Sequence, residues 1–323
     1  MAKKFVICSP QEEYANLLAE HIAGREDLAF QLFVYTTYEG LIKEQQKKQI
    51  DILLIDGSIS MEKRNRIKTK QTYVLMSGEG KIDSKEKEVY QFQPANAIIS
   101  EILEGCIERK ENAVFKQYRK GDKQLIGVYS PIHRIGKSEF ALILARELSS
   151  RKRVLYISLE EYSILGESLF YEKRNLADIL YYMKQEDGYL GARVGTVIRK
   201  VQEVDTIAPI PVSQDLKEVA QADWEMLFPR LLKESMYETI IIDFSESVQG
   251  LFRLLSLCST IYMPVKKDPA ARAKLGQYQQ AIRQLGYDSL AARTVEVPMD
   301  QDCETSVRNI ISRNRRREKN ANS

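Results

Sequence analysis

Short apolar runs alternate with longer amphipathic stretches along almost the whole chain. Each run is too short for a helix, and in the stretch that follows it apolar residues recur every three or four positions. This alternation is typical of parallel β-sheets covered by helices, so it predicts an α/β protein. The predicted strands span residues 4–9, 30–34, 51–56, 72–76, 89–92, 125–129, 153–159, 204–208, 239–243, 260–264 and 294–297.

A polar, charged segment separates these strand–helix units into two groups. It contains few apolar residues and has Gly121-Asp122 just before the next predicted strand. We therefore predict two doubly wound parallel-sheet domains joined by a linker and followed by a C-terminal helix with a basic tail. The predicted boundaries are 1–111 for the first domain, 112–123 for the linker, 124–303 for the second domain and 304–323 for the helix and tail.

Two helix predictions in the second half depend on single residues. Asp215 is of a residue type that favours the helix N-cap, so a short helix is expected to begin there. Pro229 lacks a backbone N–H, and it is therefore expected to interrupt or restart the helix predicted over residues 224–236.

The most specific chemical signal is Gly136-Lys137-Ser138, which stands between a predicted strand and a predicted helix. In a strand–loop–helix unit of this kind, backbone N–H groups and the helix N-terminus face an anion. The lysine reaches the β- and γ-phosphates of a nucleotide, and the serine hydroxyl ligates Mg²⁺. The nucleotide-binding residues predicted on this basis are Arg134, Ile135, Gly136, Lys137, Ser138 and Glu139.

The rest of the loop departs from the full phosphate-binding pattern. That pattern has a glycine five residues before Gly136, and this chain has Pro131 there. Proline has no N–H to donate, and the side chains at positions 133 and 134 are expected to hinder close approach of a ligand to the backbone. Two interpretations therefore stay open: a nucleotide-binding loop, or a relic of the fold whose loop is empty or altered.

Another apolar strand of the second half, with the sequence TIIID, ends in the carboxylate of Asp243. Beside a phosphate-binding strand, an aspartate in this place holds the Mg²⁺ ion. We predict that Asp243 and Ser138 are the metal residues. The alternative is that Asp243 merely ends a strand.

Residues 1–110 resemble a response-regulator receiver domain, on the order of their predicted elements and on Asp56 at the end of the third strand. The resemblance implies that Asp56 occupies the phospho-acceptor position. However, Ser9 and Pro10 stand where the family has Mg²⁺-binding acids, and Gln93 replaces its lysine. Without metal carboxylates the charge on a transferring phosphoryl group is not neutralised. We therefore predict a pseudo-receiver used for docking or dimerisation, with Asp56 an ordinary strand-end residue in a degenerate site.

Residues 120–300 resemble the MinD/ParA branch of P-loop ATPases, on the placement of the loop, the strand VLYISLE and the segment IIID. By that resemblance, Glu160 replaces an aspartate that positions the attacking water, which makes it the expected catalytic residue. The alternative is that Glu160 and Glu161 form a surface acidic pair. Ile132 stands where the family has a lysine that reaches across the dimer to the partner's ATP, so hydrolysis is expected to be weak.

A receiver-like domain ahead of a MinD/ParA-like domain resembles the TadZ/CpaE group of pilus-assembly proteins. The resemblance implies a scaffold or localisation protein for Flp or tight-adherence pili that binds ATP and Mg²⁺. It also implies pilus-assembly and secretion proteins and a second copy of the chain as partners, at the cell pole or the inner face of the membrane. Two alternatives stay open: an active ATPase cycling on a membrane or DNA surface, and a nucleotide-free interaction protein with two degenerate domains. The choice of ATP over GTP rests on the resemblance alone.

Charge narrows the choice of partners. The net charge of +3 arises in the tail, since residues 308–323 carry six basic side chains and one acidic one, while residues 113–307 carry 26 of each. A neutral domain lacks the basic surplus that non-specific nucleic-acid binding needs, so no nucleic-acid partner is expected. Val307, Ile310 and Ile311 bury too little area for stable membrane attachment, so any membrane contact is expected to be peripheral.

Composition points to a cytoplasmic protein. No apolar run reaches the roughly 18 residues of a membrane-spanning helix. The opening segment MAKKFVICSP contains only a short apolar run, which is too short for a secretory signal. The four cysteines lie far apart without a CxxC pair, which indicates reduced thiols rather than a disulfide framework or a zinc site.

Overall fold

The computed structural model describes residues 3–25, 27–45, 49–78, 80–109, 114–116, 123–169, 172–185, 190–300 and 302–321. The chain divides into two compact units, Met1–Tyr118 and Arg119–Ser323. Each unit is α/β and is built on a sheet whose strands are mostly or entirely parallel. In the described part of the chain, no helix is long and apolar enough to cross a membrane.

The first unit contains a five-stranded, fully parallel sheet. Its strands are β1 (Lys3–Cys8), β2 (Phe30–Tyr35), β3 (Ile50–Asp56), β4 (Thr69–Met76) and β5 (Glu86–Tyr90), and its helices are α1 (Glu12–Ala23), α2 (Tyr38–Gln45), α3 (Met61–Arg64) and α4 (Ala95–Glu108). The strand order is β2-β1-β3-β4-β5, that of flavodoxin-type doubly wound sheets. The strands β1 and β3 are almost wholly buried, which explains why they are continuous apolar runs.

The connection from β4 to β5 differs from the regular alternation that the sequence predicts. Its described residues, 77–78 and 80–85, form no helix. The segment is held instead by Arg64, whose guanidinium donates to both carboxylate oxygens of Glu86 at 2.8 and 2.9 Å and to the carbonyl of Lys81 at 2.9 Å. The two charged side chains are only 2% and 4% exposed. A buried, hydrogen-bonded ion pair thus anchors this segment, and an apolar pattern gives no sign of it.

Part of the predicted linker packs on the first unit. The backbone N–H of Ala29 donates to the carbonyl of Val114 at 2.9 Å, and the N–H of Lys116 donates to the carbonyl of Asp27 at 2.9 Å. Val114 is fully buried in the first unit's core. Residues 114–116 therefore belong to the first unit, and the rest of the predicted linker, up to residue 122, lies outside the described residues.

The second unit contains a seven-stranded sheet. Its strands are β6 (Gln124–Val128), β7 (Val154–Leu159), β8 (Ile198–Val201), β9 (Val204–Ile207), β10 (Thr239–Phe244), β11 (Thr260–Val265) and β12 (Thr294–Pro298). The order is β12-β11-β6-β10-β7-β9-β8. Every pairing is parallel except that of β8 with β9, which form a short antiparallel hairpin. The strand β8 was not predicted from the sequence.

The helices of the second unit correct two predictions. They are α5 (Lys137–Ser149), α6 (Leu176–Lys184), α7 (Leu190–Val197), α8 (Ser213–Glu218), α9 (Gln221–Glu234), α10 (Leu251–Leu255), α11 (Pro269–Gln284), α12 (Ser289–Arg293) and α13 (Cys303–Ala321). Asp215 lies inside α8 and is not its N-cap, because α8 begins two residues earlier. Pro229 lies inside a continuous α9. There the burial of Trp224, Leu227 and Phe228 outweighs the hydrogen bond that proline removes.

The C-terminal helix α13 packs on the second unit. Val307 and Ile310 are buried in the same core cluster as Phe140 of α5. Arg146 of α5 also donates to Glu304 at 3.0 Å. The apolar residues that precede the basic tail therefore face the core, while the tail side chains from residue 314 onward lie outside the described residues.

Candidate functional site

The predicted site residues of the second unit meet at the carboxyl edge of its sheet. The strand β10 lies between β6 and β7, and Asp243 pairs in register with Val128 of β6 and Ser158 of β7. The loop 129–136 follows β6, and Glu160 follows β7 directly. Chain connections leave in opposite directions from this point of the sheet, which is where open α/β sheets bind ligands.

The loop before α5 presents unpaired backbone donors. Gly136 is the N-cap of α5 in a left-handed conformation with φ 80°, and Arg134 also has a positive φ of 54°. Within the described residues, the backbone N–H groups of residues 134–139 make no hydrogen bond to the chain. A helix N-terminus with free N–H groups is an arrangement that binds anions.

Lys137, the first residue of α5, makes three hydrogen bonds to the chain itself. Its ammonium donates to Oε1 of Glu160, to Oδ1 of Asp243, and to the backbone carbonyl of Phe244 at 2.7 Å. An ammonium has three protons, so each is used. The two carboxylates that the sequence singled out separately thus share one lysine.

Asp243 is completely buried. Its second oxygen, Oδ2, accepts a hydrogen bond from the hydroxyl of Tyr156 at 3.2 Å. Burial, and then the charge of Asp243, raise the pKa of Tyr156 well above its usual range, so this hydroxyl stays a donor. Sequence reasoning missed Tyr156, although its spacing of two from Ser158 and four from Glu160 places all three on the same face of an extended β7 segment.

Burial and the attraction of opposite charges shift the pKa values of Lys137 and Glu160 in opposite directions. Burial alone would lower the pKa of Lys137, but the charges of Asp243 and Glu160 outweigh it and raise the pKa above the ordinary 10.5. Burial raises the pKa of Glu160 above 4.5, and the attraction of Lys137 does not fully offset burial and the charge of Asp243. One cation shared by two anions accounts for both directions.

Glu160 and Glu161 do not form the surface acidic pair that was the alternative reading. Glu160 turns inward to Lys137. Glu161 turns to other elements: it accepts a hydrogen bond from the hydroxyl of Ser247 and pairs with Lys217 of α8 at 3.2 Å. The hydrogen bond from Ser247, followed by that from Lys217, lowers the pKa of Glu161.

The remaining predicted residues fit a nucleotide and its metal only in part. Ser138 is partly buried on the first turn of α5, and among the described residues its hydroxyl has no hydrogen-bond partner. Pro131 is buried and contributes no donor to the loop. The described residues contain no group of three or more His, Cys, Asp or Glu side chains able to hold a metal ion. The backbone donors are therefore arranged to bind a phosphate group. The ammonium of Lys137 can bind one only after its hydrogen bond to a carboxylate is broken.

The strand-end aspartate of the first unit has different neighbours. Asp56 accepts from the Ser9 hydroxyl at 2.9 Å, from the Ser58 hydroxyl at 2.6 Å and from the Ser58 backbone N–H at 2.9 Å. Gln93 donates to Glu101 at 3.0 Å. The Ser9 hydroxyl thus serves as a hydrogen-bond donor to Asp56.

No protein-family model matches the chain, and no curated protein is significantly similar to it. Three solved structures each resemble it over a little under three fifths of its length. A plasmid partition protein from Borrelia burgdorferi is 20% identical over 59% of this chain and 86% of its own, with a TM-score of 0.42. A ParA family ATPase from Chlorobium tepidum is 18% identical over 57% and 80%, with a TM-score of 0.45.

A third solved structure is cobyrinic acid a,c-diamide synthase from Mycobacterium smegmatis with a bound ATP analogue and magnesium. It is 13% identical over 59% of this chain and 82% of its own, with a TM-score of 0.42. At such identities and scores, the three similarities assign no role to any residue of this chain.

Proposed function

We propose that the second unit binds ATP together with Mg²⁺, and that the chain is a nucleotide-binding scaffold or localisation protein for pilus assembly with weak or no hydrolysis. The observation that carries the nucleotide part is the meeting of Lys137, Asp243 and Glu160 beside a helix N-terminus whose N–H groups are free. A cation, two carboxylates and a row of backbone donors are the groups that phosphates and Mg²⁺ require.

Each residue has a stated part in this proposal. The N–H groups of residues 134–139 and the ammonium of Lys137 bind phosphate oxygens, while Ser138 and Asp243 hold Mg²⁺. The metal, when bound, neutralises phosphate charge. Glu160, at the position that follows β7, orients water if hydrolysis occurs.

The pilus part of the proposal rests on the resemblance of the domain order to the TadZ/CpaE group. The first unit then serves as a pseudo-receiver for docking or dimerisation, because Asp56 is surrounded by hydroxyl groups where the receiver family has metal-binding acids. Its partners are pilus-assembly and secretion proteins and a second copy of the chain, in the cytoplasm at the cell pole or beside the membrane.

One observation favours a second function, that of an interaction protein without nucleotide. All three protons of the Lys137 ammonium are used by acceptors of the chain itself. If those contacts are permanent, the loop is a relic and both units act only by contacting other proteins.

Calorimetric titration separates the two functions. ATP·Mg²⁺ and its non-hydrolysable analogue AMPPNP are titrated into the wild type and Lys137→Ala, while phosphate release is followed in parallel. The control is Lys152→Ala, which removes an exposed lysine just beyond the end of α5. We expect binding to the wild type and to Lys152→Ala, no binding to Lys137→Ala, and little phosphate release.

Other results point elsewhere. Steady phosphate release would identify an active ATPase. Absence of binding to the wild type would favour the interaction protein. Co-purification from the source cells tests the pilus part: pilus-assembly proteins are expected with the wild type, and their absence would contradict it.

A further inference from the structure

The ammonium of Lys137 has no proton left for a ligand in the arrangement that the structure shows. A phosphate oxygen can therefore reach it only if one of its three acceptors leaves. The carbonyl of Phe244 cannot leave, since it is part of the backbone of β10. The question is which carboxylate, Asp243 or Glu160, gives way.

Asp243 is the more firmly held of the two. Its side chain is 0% exposed, it lies within the central strand β10, and its other oxygen accepts the hydroxyl of Tyr156. Moving it would take the charged acceptor away from a buried hydroxyl, which is costly in a protein interior.

Fewer contacts hold the side chain of Glu160 in place. It lies one residue beyond the end of β7, and its side chain is 26% exposed. Among the described residues, Lys137 is the only hydrogen-bond partner of its carboxylate. Burial and the neighbouring charge of Asp243 also raise its pKa, so this carboxylate is less easily ionised here than in water.

We infer that Glu160 is an internal competitor of the nucleotide: it holds the ammonium of Lys137 in the nucleotide-free chain and must release it before a phosphate binds. The inference rests on the proposed function. It makes Glu160 a positioning residue that acts through Lys137. In the nucleotide-free chain, Glu160 thus inhibits nucleotide binding. Nucleotide affinity is then lower than the loop alone would give, by the free energy of one charge-assisted contact.

Glu160→Gln tests this by a gain of affinity. The amide keeps the shape of the side chain but loses its charge, and Glu160→Ala removes the acceptor altogether. We expect AMPPNP·Mg²⁺ to bind both variants more tightly than the wild type, by about tenfold, the factor expected from one hydrogen bond to a charged group. A purely water-orienting Glu160 would slow phosphate release and leave the affinity for AMPPNP unchanged.

Glu161→Gln is the matched control. It removes the same charge from the same loop, but its carboxylate contacts Ser247 and Lys217 instead of Lys137. We expect its affinity for AMPPNP·Mg²⁺ to equal that of the wild type. An equal gain of affinity in Glu160→Gln and Glu161→Gln would show that the effect comes from overall charge, and it would overturn the inference.

The outcomes distinguish this inference from the proposed function. Binding to the wild type without a gain in either Glu160 variant overturns the inference and leaves the proposed function intact. Absence of binding to the wild type and to both Glu160 variants overturns both. Binding to the Glu160 variants alone supports both, since it shows a loop that Glu160 blocks.

A second measurement needs no nucleotide. Thermal midpoints are compared for the wild type, Lys137→Met, Glu160→Gln and the double variant. If Glu160 holds Lys137 in the free chain, the double variant loses less than the sum of the two single losses. Additive losses would show that the contact is not made, and would overturn the inference whatever the affinities are.

Discussion

Asp56 is the last residue and Asp243 the second-to-last residue of a central strand in its sheet, yet their surroundings differ in charge. Asp56, at the end of β3, accepts hydrogen bonds from two serines, Ser9 and Ser58. Asp243, near the end of β10, accepts from the ammonium of Lys137 and the hydroxyl of Tyr156. The first carboxylate has neutral neighbours, and the second belongs to a cluster of one cation and two anions.

The difference lies in what the neighbouring loops bring to each aspartate. Around Asp56 the donors are local, and the loop after it closes on the sheet, since the N–H of Gly57 donates to the carbonyl of Leu75 at 2.8 Å. Beside Asp243, the loop before α5 keeps its N–H groups free and adds a lysine. The same position in a doubly wound sheet therefore gives a carboxylate with neutral donors in one unit and a cluster of charged side chains in the other.

The largest difference between the two aspartates is expected in how far their replacement lowers the free energy of unfolding. Asp243→Ala leaves Lys137 short of an acceptor and removes the charged acceptor of Tyr156, and we expect it to lower the free energy of unfolding of the second unit by about 3 kcal/mol. Asp56→Ala removes bonds from neutral donors and is expected to lower that of the first unit by about 1 kcal/mol. Urea unfolding measures both changes. Fluorescence of Trp224, the one tryptophan of the chain, reports the second unit, and circular dichroism reports the whole chain. Equal losses would show that charge does not distinguish the two sites.

The next effect concerns the loop of the second site. Gly136 has φ 80°, and a Cβ there would lie 3.2 Å from Sγ of Cys303. We expect Gly136→Ala to lower the free energy of unfolding by about 1–2 kcal/mol, because an L-residue is strained in this conformation. The control is Gly78→Ala in the first unit, where a Cβ would meet nothing within 4 Å. Urea unfolding of both variants is the measurement, and a loss at Gly78 as large as that at Gly136 would contradict the prediction.

A smaller effect is expected with pH. Because the pKa of Glu160 is raised above 4.5 in the folded chain, its contribution to stability is fully present below pH 4.5 and is lost as pH rises through the folded pKa. The free energy of unfolding of the wild type, minus that of Glu160→Gln, should therefore fall as the pH rises above 4.5. The change should stay below about 1 kcal/mol, since solvent screens this partly exposed carboxylate. Urea unfolding at several pH values checks this, and a difference that rises with pH would contradict it.

The smallest effect is expected at Asp56 itself. Incubation with acetyl phosphate and Mg²⁺ should produce no phosphorylated Asp56, because the carboxylate already accepts three hydrogen bonds and its donors, Ser9 and Ser58, bring no further carboxylate for a metal ion. Intact mass measurement of the wild type and Asp56→Asn checks this. A phosphoryl adduct on the wild type that is missing from Asp56→Asn would show that the first unit retains receiver chemistry.

Most strands were predictable because an apolar run is a local property. All five strands of the first unit and six of the seven in the second were expected from such runs, and β8 was missed because it is short and only partly buried. The helix-free course of the described residues between β4 and β5 was not predictable, since the Arg64–Glu86 pair that anchors this segment joins residues 22 positions apart. The interruption of α9 predicted at Pro229 is wrong for a similar reason. The hydrogen bond that proline removes is offset by the burial of apolar side chains in the tertiary structure.

By itself, the sequence determined that Gly136-Lys137-Ser138 joins a strand to a helix and that Asp243 and Glu160 stand at or just beyond strand ends. These are properties of neighbouring residues and their hydrophobic spacing. Only the tertiary structure decided that both carboxylates share one lysine, because Glu160 lies 23 and Asp243 lies 106 positions from Lys137 along the chain. The three residues meet because β10 lies between β6 and β7, an order set by the packing of the whole sheet.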